Sequence, residues 1–129
     1  MNQPLVLIIE DDRPTIDLFN EVFKMAGINF EILTTGKEAI ERLKEIREGK
    51  KEKPELILLD LILPDMNGLS ILKEAKTYPE TKDIKIFALT NYTDPETCQE
   101  LKKEGIDKIL IKAQYSLQEL IEIIKENIK

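Results

Sequence analysis

The sequence has little of what marks secreted or membrane-bound proteins. Cys98 is the only cysteine among 129 residues, which rules out an internal disulfide and fits a reducing compartment. No apolar stretch approaches the roughly 20 residues that a membrane span requires. The N-terminus runs from Met1 into an apolar segment without the basic region or small-residue cleavage site of a signal peptide. We therefore expect a cytoplasmic protein that does not contact a membrane.

An excess of positive charge is also missing. The chain has 19 Lys and Arg against 25 Asp and Glu, a net charge of −6, and the two signs are interleaved, as in KEIREGKKEKPE. Long-range attraction to a phosphate backbone needs a net positive charge or a basic patch, so we expect no direct nucleic-acid binding. A hydrophobic content of 42% suffices for a core. The length is typical of one domain, which we expect to span residues 1–129.

Apolar runs typical of buried strands alternate with segments of helical spacing. The strands are expected at residues 5–9, 30–33, 56–59, 85–89 and 109–111, each followed by a helix. The third helix is expected near residues 69–76. The fourth has only Cys98 and Leu101 as apolar anchors, which indicates a loosely held helix. Five βα units with short loops predict an α/β fold, with a parallel sheet covered by helices on both sides.

Polar residues mark several helix starts. Asp12 and Asp94 precede prolines that fit the first turn of a helix, and we assign Asp12 mainly to starting helix one. Asp65 is assigned to the turn after strand three. Two pairs have the spacing of a capping box, namely Thr35 with Glu38 and Ser116 with Glu119.

The residues that end the strands carry one chemistry. Glu10 and Asp11 follow strand one, Asp60 follows strand three, Thr90 ends strand four and Lys112 ends strand five. Parallel sheets bind ligands at the carboxyl ends of their strands, beside a topological switch point. Three carboxylates that close repel one another unless a cation lies among them, and Mg²⁺ prefers oxygen ligands. Together with a lysine and a hydroxyl to hold phosphoryl oxygens, the set predicts phosphoryl transfer to the nucleophile Asp60.

Four segments resemble motifs of one family. They are LIIEDD, LILLDLILPDMNG, IFALT and KILIK, and through them the chain resembles the response-regulator receiver domain of two-component signalling over essentially its whole length. The resemblance implies a flavodoxin-like (βα)5 fold, with a doubly wound five-stranded parallel sheet in the order 2-1-3-4-5. A stand-alone receiver domain is the expectation.

The resemblance also implies roles for individual residues. Asp60 stands at the phosphoacceptor position, Thr90 at the switch hydroxyl and Lys112 at the family's lysine. The expected cofactor is Mg²⁺, which the carboxylates and a backbone carbonyl would hold. The expected metal ligands are Glu10, Asp11, Asp60 and the carbonyl of Ile62.

The partners follow from the same resemblance. The phosphoryl donor is expected to be the phosphohistidine of a histidine kinase or a histidine phosphotransfer protein, which fits a chain without histidine. The expected output surface consists of helix four, strand five and helix five, which bind a downstream protein, and a homodimer is compatible with the family. The domain would not be a conventional enzyme but would catalyse its own phosphorylation and slow autodephosphorylation. Ile62 and Tyr92 flank the water path and are expected to shield the phosphoryl group.

Three positions depart from the family pattern. Asn91 replaces a small residue after the switch hydroxyl, and Ile109 replaces a common aromatic residue on strand five. Ala113 replaces the proline that follows the lysine, so we expect a trans peptide there, because a non-proline cis bond costs about 3 kcal/mol. These departures concern how a signal reaches the surface.

Other functions compete with this interpretation. The main alternative is a receiver-like adaptor that binds a partner without phosphorylation, and the intact acidic, Thr and Lys positions disfavour it. An FMN site would need a phosphate loop where three acids follow strand one. A P-loop would need a first glycine in place of Glu31. A haloacid-dehalogenase-type phosphatase would need a second aspartate in place of Ile62.

Overall fold

The computed structural model describes residues 3–91 and 94–128, and five strands alternate with five helices in that part of the chain. The strands are β1 (Leu5–Ile9), β2 (Asn29–Leu33), β3 (Leu56–Leu59), β4 (Lys85–Thr90) and β5 (Lys108–Ile111). The helices are α1 (Arg13–Met25), α2 (Gly36–Arg47), α3 (Gly68–Thr77), α4 (Pro95–Lys103) and α5 (Leu117–Asn127). A short 3-10 turn, Lys112–Gln114, joins β5 to α5.

All five strands are parallel, in the order β2-β1-β3-β4-β5. The predicted fold class and strand order are therefore confirmed. Ile9 pairs with both Leu33 and Leu59, so β1 lies inside the sheet and ends level with its two neighbours. This alignment determines which side chains meet at the carboxyl edge.

The sheet is buried on both faces, because alternate strand residues point to opposite helix layers. One layer contains α2, α3 and α4, and the other contains α1 and α5. Strand residues that pack against the first layer are Leu7, Ile9, Ile57, Leu59, Ile86 and Ala88. Those that pack against the second are Val6, Ile8, Leu56, Leu58, Phe87 and Leu89. Apolar burial of this extent holds the strand ends in place from both sides.

The helix starts follow the predicted signals with one correction. The Asp12 carboxylate accepts from the backbone N–H of Thr15 at the start of α1, and Ser116 and Glu119 form a reciprocal capping box. At α2 the prediction was half wrong. Thr35 caps the helix, but Glu38 accepts from the N–H of Thr34 instead of that of Thr35, because the adjacent amide lies within its reach.

Element boundaries differ from the predictions by one residue. Strand β2 starts at Asn29, α3 runs from Gly68 to Thr77, β4 includes Thr90, and β5 starts at Lys108. As expected, α4 has few anchors: Leu101 is its buried residue and Cys98 is half-buried. The described residues contain no cis peptide, in agreement with the trans bond expected at Ala113. Among residues 3–91 and 94–128, no helix has the length and apolar character needed to cross a membrane.

Candidate functional site

The acidic residues predicted from the strand ends meet at the carboxyl edge of the sheet. The pairing of Ile9 with Leu59 brings the next residues, Glu10 and Asp60, side by side, and the N–H of Asp60 donates to the Ile9 carbonyl at 3.0 Å. One carboxylate oxygen each from Glu10, Asp11 and Asp60 lies within 4.8 Å of the others. The sheet itself therefore assembles this cluster.

The three carboxylates differ in exposure. Glu10 is 1% exposed and Asp60 9%, whereas Asp11 is exposed to solvent. Burial of like charges is costly without a compensating cation. The donor set, three hard carboxylate oxygens at one edge with one side open, fits a divalent ion such as Mg²⁺ that keeps several waters.

Asp12 takes no part in this cluster. Its carboxylate caps α1, and its backbone N–H donates to Oε2 of Glu10 at 3.1 Å. The assignment of Glu10 and Asp11 to the site and of Asp12 to the helix start agrees with this arrangement. The backbone of Asp12 additionally helps to hold Glu10, which the sequence did not indicate.

Lys112 supplies the nearest positive charge. Its Nζ lies 2.6 Å from Oε1 of Glu10 and 3.9 Å from Oδ2 of Asp60. The lysine side chain is largely buried as well. The ammonium group thus compensates the most buried carboxylate first and stays within reach of Asp60.

Asp60 itself has a strongly perturbed pKa. Burial raises the pKa of this carboxyl to about 7. The N–H of Ile62, which donates to Oδ1 of Asp60 at 3.1 Å, opposes the rise in pKa, while the charge of Glu10 adds to it and that of Lys112 opposes it. A buried carboxylate that ionises near neutral pH beside other charged groups is typical of a functional group.

Thr90 lies at the same edge, at the end of β4. It is fully buried, and its register partner on β5 is Ile111, the residue before Lys112. Leu59 pairs with Ala88, so Thr90 extends one residue beyond the level of Asp60. The predicted hydroxyl therefore lies beside the residue that precedes the predicted lysine.

The loop after β3 is closely packed on the backbone of Asp60. The N–H of Gly68 donates to the Leu61 carbonyl at 2.7 Å, and a Cβ on Gly68 would lie 2.6 Å from the carbonyl oxygen of Asp60. A side chain does not fit there. Gly68 is therefore required so that α3 can start against the strand that presents Asp60.

The other predicted positions differ in exposure. Ile62 is 69% exposed and Asn91 is exposed, whereas Ile109 on β5 is half-buried. Tyr92, the second predicted shield, lies outside the described residues.

The sequence analysis also missed a contact made by Asp65. Asp65, assigned to a turn, accepts hydrogen bonds from the N–H groups of Gly36 and Lys37 at the start of α2. No local pattern indicates a contact between residues 29 positions apart.

Comparison with known proteins gives a consistent result. Residues 6–125 match the family model for the response regulator receiver domain. Sporulation initiation phosphotransferase F of Bacillus subtilis is 33% identical over 100 residues, which cover 78% of this chain and 74% of that protein. Regulatory protein LuxO of Vibrio vulnificus is 34% identical over 106 residues, 81% of this chain but 21% of LuxO. The chain thus spans about a fifth of the length of LuxO.

Solved structures share the fold. The Mn²⁺-bound form of response regulator Rcp1 superposes with a TM-score of 0.80 at 27% identity, over 95% of this chain and 90% of Rcp1.

Proposed function

The chain belongs to the response regulator receiver family of two-component signalling, and on that premise we propose that Asp60 accepts a phosphoryl group from a partner's phosphohistidine. The observation that carries the proposal is the position of Asp60, beside Glu10 and within 3.9 Å of the Lys112 ammonium. The partner is a histidine kinase or a histidine phosphotransfer protein. Both classes act in the cytoplasm, where we place this domain.

The transfer step needs only the groups at this edge. A carboxylate oxygen of Asp60 attacks phosphorus, a P–O bond forms and the P–N bond to the imidazole breaks, with its electron pair returning to the ring nitrogen. The product is an acyl phosphate on Asp60. In slow autodephosphorylation a water oxygen attacks phosphorus, the P–O bond to Asp60 breaks, and inorganic phosphate leaves while Asp60 regains its carboxylate.

We infer a Mg²⁺ site formed by Glu10, Asp11, Asp60 and the backbone carbonyl of Ile62. The three carboxylate oxygens within 4.8 Å support it, and the Mn²⁺-bound form of Rcp1 is a relative with a divalent ion. When bound, the ion neutralises the charge of the phosphoryl group in transfer. It also relieves repulsion among the three acids.

Lys112 and Thr90 complete the proposed site. Phosphorylation would add negative charge at Asp60, toward which the Lys112 ammonium moves from Glu10 over a short distance. The Thr90 hydroxyl, on the adjacent strand, donates to another phosphoryl oxygen. Movement of these two side chains carries the change to the ends of β4 and β5.

The proposed output surface consists of α4, β5 and α5. Helix α4 has Leu101 as its buried anchor, so a modest free energy suffices to shift it. A groove of about 440 Å³ between α4 and β5 is lined by residues that include Cys98, Lys102, Ile106 and Ile109. Amide exchange with and without beryllofluoride tests this surface. Changes restricted to α1 and α2 would show that the output lies elsewhere.

Mass spectrometry after treatment with Mg²⁺ and acetyl phosphate tests the acceptor. Wild-type protein should gain one acid-stable, base-labile phosphoryl group, and Asp60→Asn should gain none while keeping its fold. The matched control is Asp83→Asn, because Asp83 is exposed and lies outside the acidic cluster. This variant should label like wild type. Labelling of Asp60→Asn would mean that a residue other than Asp60 is the nucleophile. A folded wild type that never labels, even with a phosphorylated donor protein, would favour the adaptor alternative.

Thermal unfolding tests the metal site. Millimolar Mg²⁺ should raise the melting temperature of wild type, because the ion binds only the native cluster. Asp11→Asn should lose most of this response. Asp12→Asn, whose side chain caps α1 outside the cluster, should keep it despite a lower starting temperature. Equal responses in the two variants would contradict the assignment of ligands.

A further inference from the structure

The loop between β3 and α3 is tied to a distant helix through one carboxylate. Oδ1 of Asp65 accepts from the N–H of Gly36 at 2.8 Å, and Oδ2 accepts from the N–H of Lys37 at 2.9 Å. The first N–H groups of a helix have no partner within the helix and favour negative charge. These two amides also lower the pKa of the Asp65 carboxyl, so the tie persists at neutral pH.

The same loop positions the peptide that contacts Asp60. Residues 62 and 67 face each other in an antiparallel bridge, flanked by hydrogen bonds from Gly68 to Leu61 and from Leu63 to Met66. In such a pair the two facing residues do not bond to each other. The N–H and C=O of Ile62 are therefore directed out of the bridge, and the N–H donates to Oδ1 of Asp60.

Apolar packing holds both sides of Ile62, since Leu61 and Leu63 are buried in the core cluster that α2 and α3 share. Ile62 is 69% exposed, and Pro64 and Asp65 are exposed as well. Met66 is half-buried and lies against Gly36. Beside this apolar packing, the Asp65 carboxylate supplies the hydrogen bonds that join the exposed tip to the start of α2.

We propose that Asp65 is a positioning residue for phosphorylation, which anchors the loop on α2 and so holds the Ile62 peptide against Asp60. This inference rests on the proposed function where it concerns phosphorylation. Its structural part, that Asp65 controls the Ile62 peptide, applies to the metal-free protein too. The anchor links the acceptor to α2, a helix that contributes no residue to the acidic cluster.

The test compares Asp65→Ala with Thr35→Ala. Both variants remove a side-chain cap from the start of α2, but only Asp65 reaches the loop, since the Thr35 hydroxyl accepts from the N–H of Glu38 within the same helix. The first readout is the NMR shift and hydrogen exchange of the Ile62 amide in metal-free protein. The second is Mg²⁺ affinity by NMR titration, and the third is the rate of labelling by acetyl phosphate.

Asp65→Ala should shift the Ile62 amide, speed its exchange relative to that of Ile57, and weaken Mg²⁺ affinity roughly tenfold, the lower end of what loss of an outer partner costs. Labelling at low Mg²⁺ should slow in proportion and recover at saturating Mg²⁺. Asp65→Asn keeps one oxygen that can accept a hydrogen bond, so its three readouts should lie between those of wild type and those of Asp65→Ala. Thr35→Ala should match wild type in all three readouts.

An unchanged Ile62 amide and Mg²⁺ affinity in Asp65→Ala would overturn the inference. So would equal losses in Thr35→Ala, which would assign the effect to stability of α2. If wild type does not label at all, the proposed function fails, but the amide comparison in metal-free protein still decides whether Asp65 holds the Ile62 peptide.

Discussion

The Nζ of Lys112 lies closer to Glu10 than to Asp60, at 2.6 Å against 3.9 Å. Residues 102 positions apart thus form the shortest ionic contact at the site. Glu10 is almost fully buried, and its carboxylate is paired with this lysine and accepts from the N–H of Asp12. In the metal-free protein Lys112 therefore contributes to stability, through its ion pair with Glu10.

Lys112→Met is expected to destabilise the metal-free protein by about 3 kcal/mol, because it leaves a buried carboxylate without its partner. Urea denaturation in EDTA measures the loss. Lys108→Met, an exposed lysine on the same strand, is the control and should change stability by less than about 0.5 kcal/mol. Adding Glu10→Gln to Lys112→Met should restore part of the loss. No recovery in that double variant would mean that the pair is not the cause.

The pH dependence of stability should have the sign set by Asp60. Its pKa is about 7 in the folded protein, mainly because of burial, against about 3.9 in an unfolded chain. The folded protein then binds more protons between these values, so the free energy of unfolding falls as pH rises from about 4 to 7. Asp60→Asn should be stabilising above pH 7, by on the order of 1–3 kcal/mol, and neutral near pH 4.

Denaturation in EDTA at pH 4 and pH 8 measures this difference. Asp83→Asn provides the opposite case, since a hydrogen bond from Lys53 lowers the pKa of that exposed carboxyl. Its removal should not stabilise the protein at either pH. Equal effects of the two substitutions at pH 8 would contradict the assignment to Asp60.

Gly68→Ala should disturb the acceptor directly. The new Cβ would lie 2.6 Å from the Asp60 carbonyl oxygen and 2.9 Å from Cα of Leu61, both backbone atoms that cannot rotate away. We expect a loss of about 2 kcal/mol and slower labelling of Asp60. Ser70→Ala, a substitution at an exposed position of the same helix, is the control, because it adds no atom next to Asp60. An effect at Gly68 no larger than that at Ser70 would contradict the close approach.

Replacement of Ile62 should shorten the life of the phosphorylated state. Ile62 is exposed beside Asp60 and lacks a group that orients water, so Ile62→Asn is expected to speed hydrolysis roughly tenfold, or about 1.4 kcal/mol of barrier. Loss of labelled phosphoryl group at fixed Mg²⁺ measures the rate. Met25→Asn, at the far end of α1, should decay like wild type. If wild type lost its phosphoryl group faster than Ile62→Asn, Ile62 would not shield the group from water.

Much of the fold could be predicted from local patterns. Apolar runs ending in polar residues located the strands to within a residue, because the inner strands are buried on both faces, where polar side chains are disfavoured. The meeting of Glu10, Asp11 and Asp60 also followed, since parallel strands in this order end at one edge. The pair Thr35 and Glu38 shows the limit: the spacing was right, but the amide that Glu38 accepts from was that of Thr34.

The sequence by itself determined which residue types reach the carboxyl edge and therefore the class of chemistry. Only the tertiary structure decided how they share it: Lys112 on Glu10, Asp65 on α2, and Asp60 buried enough to raise its pKa to about 7. The reason is physical. Strand order and periodicity are local or topological properties, whereas charge pairing and desolvation depend on distances between side chains that packing brings together from positions 29 to 102 residues apart.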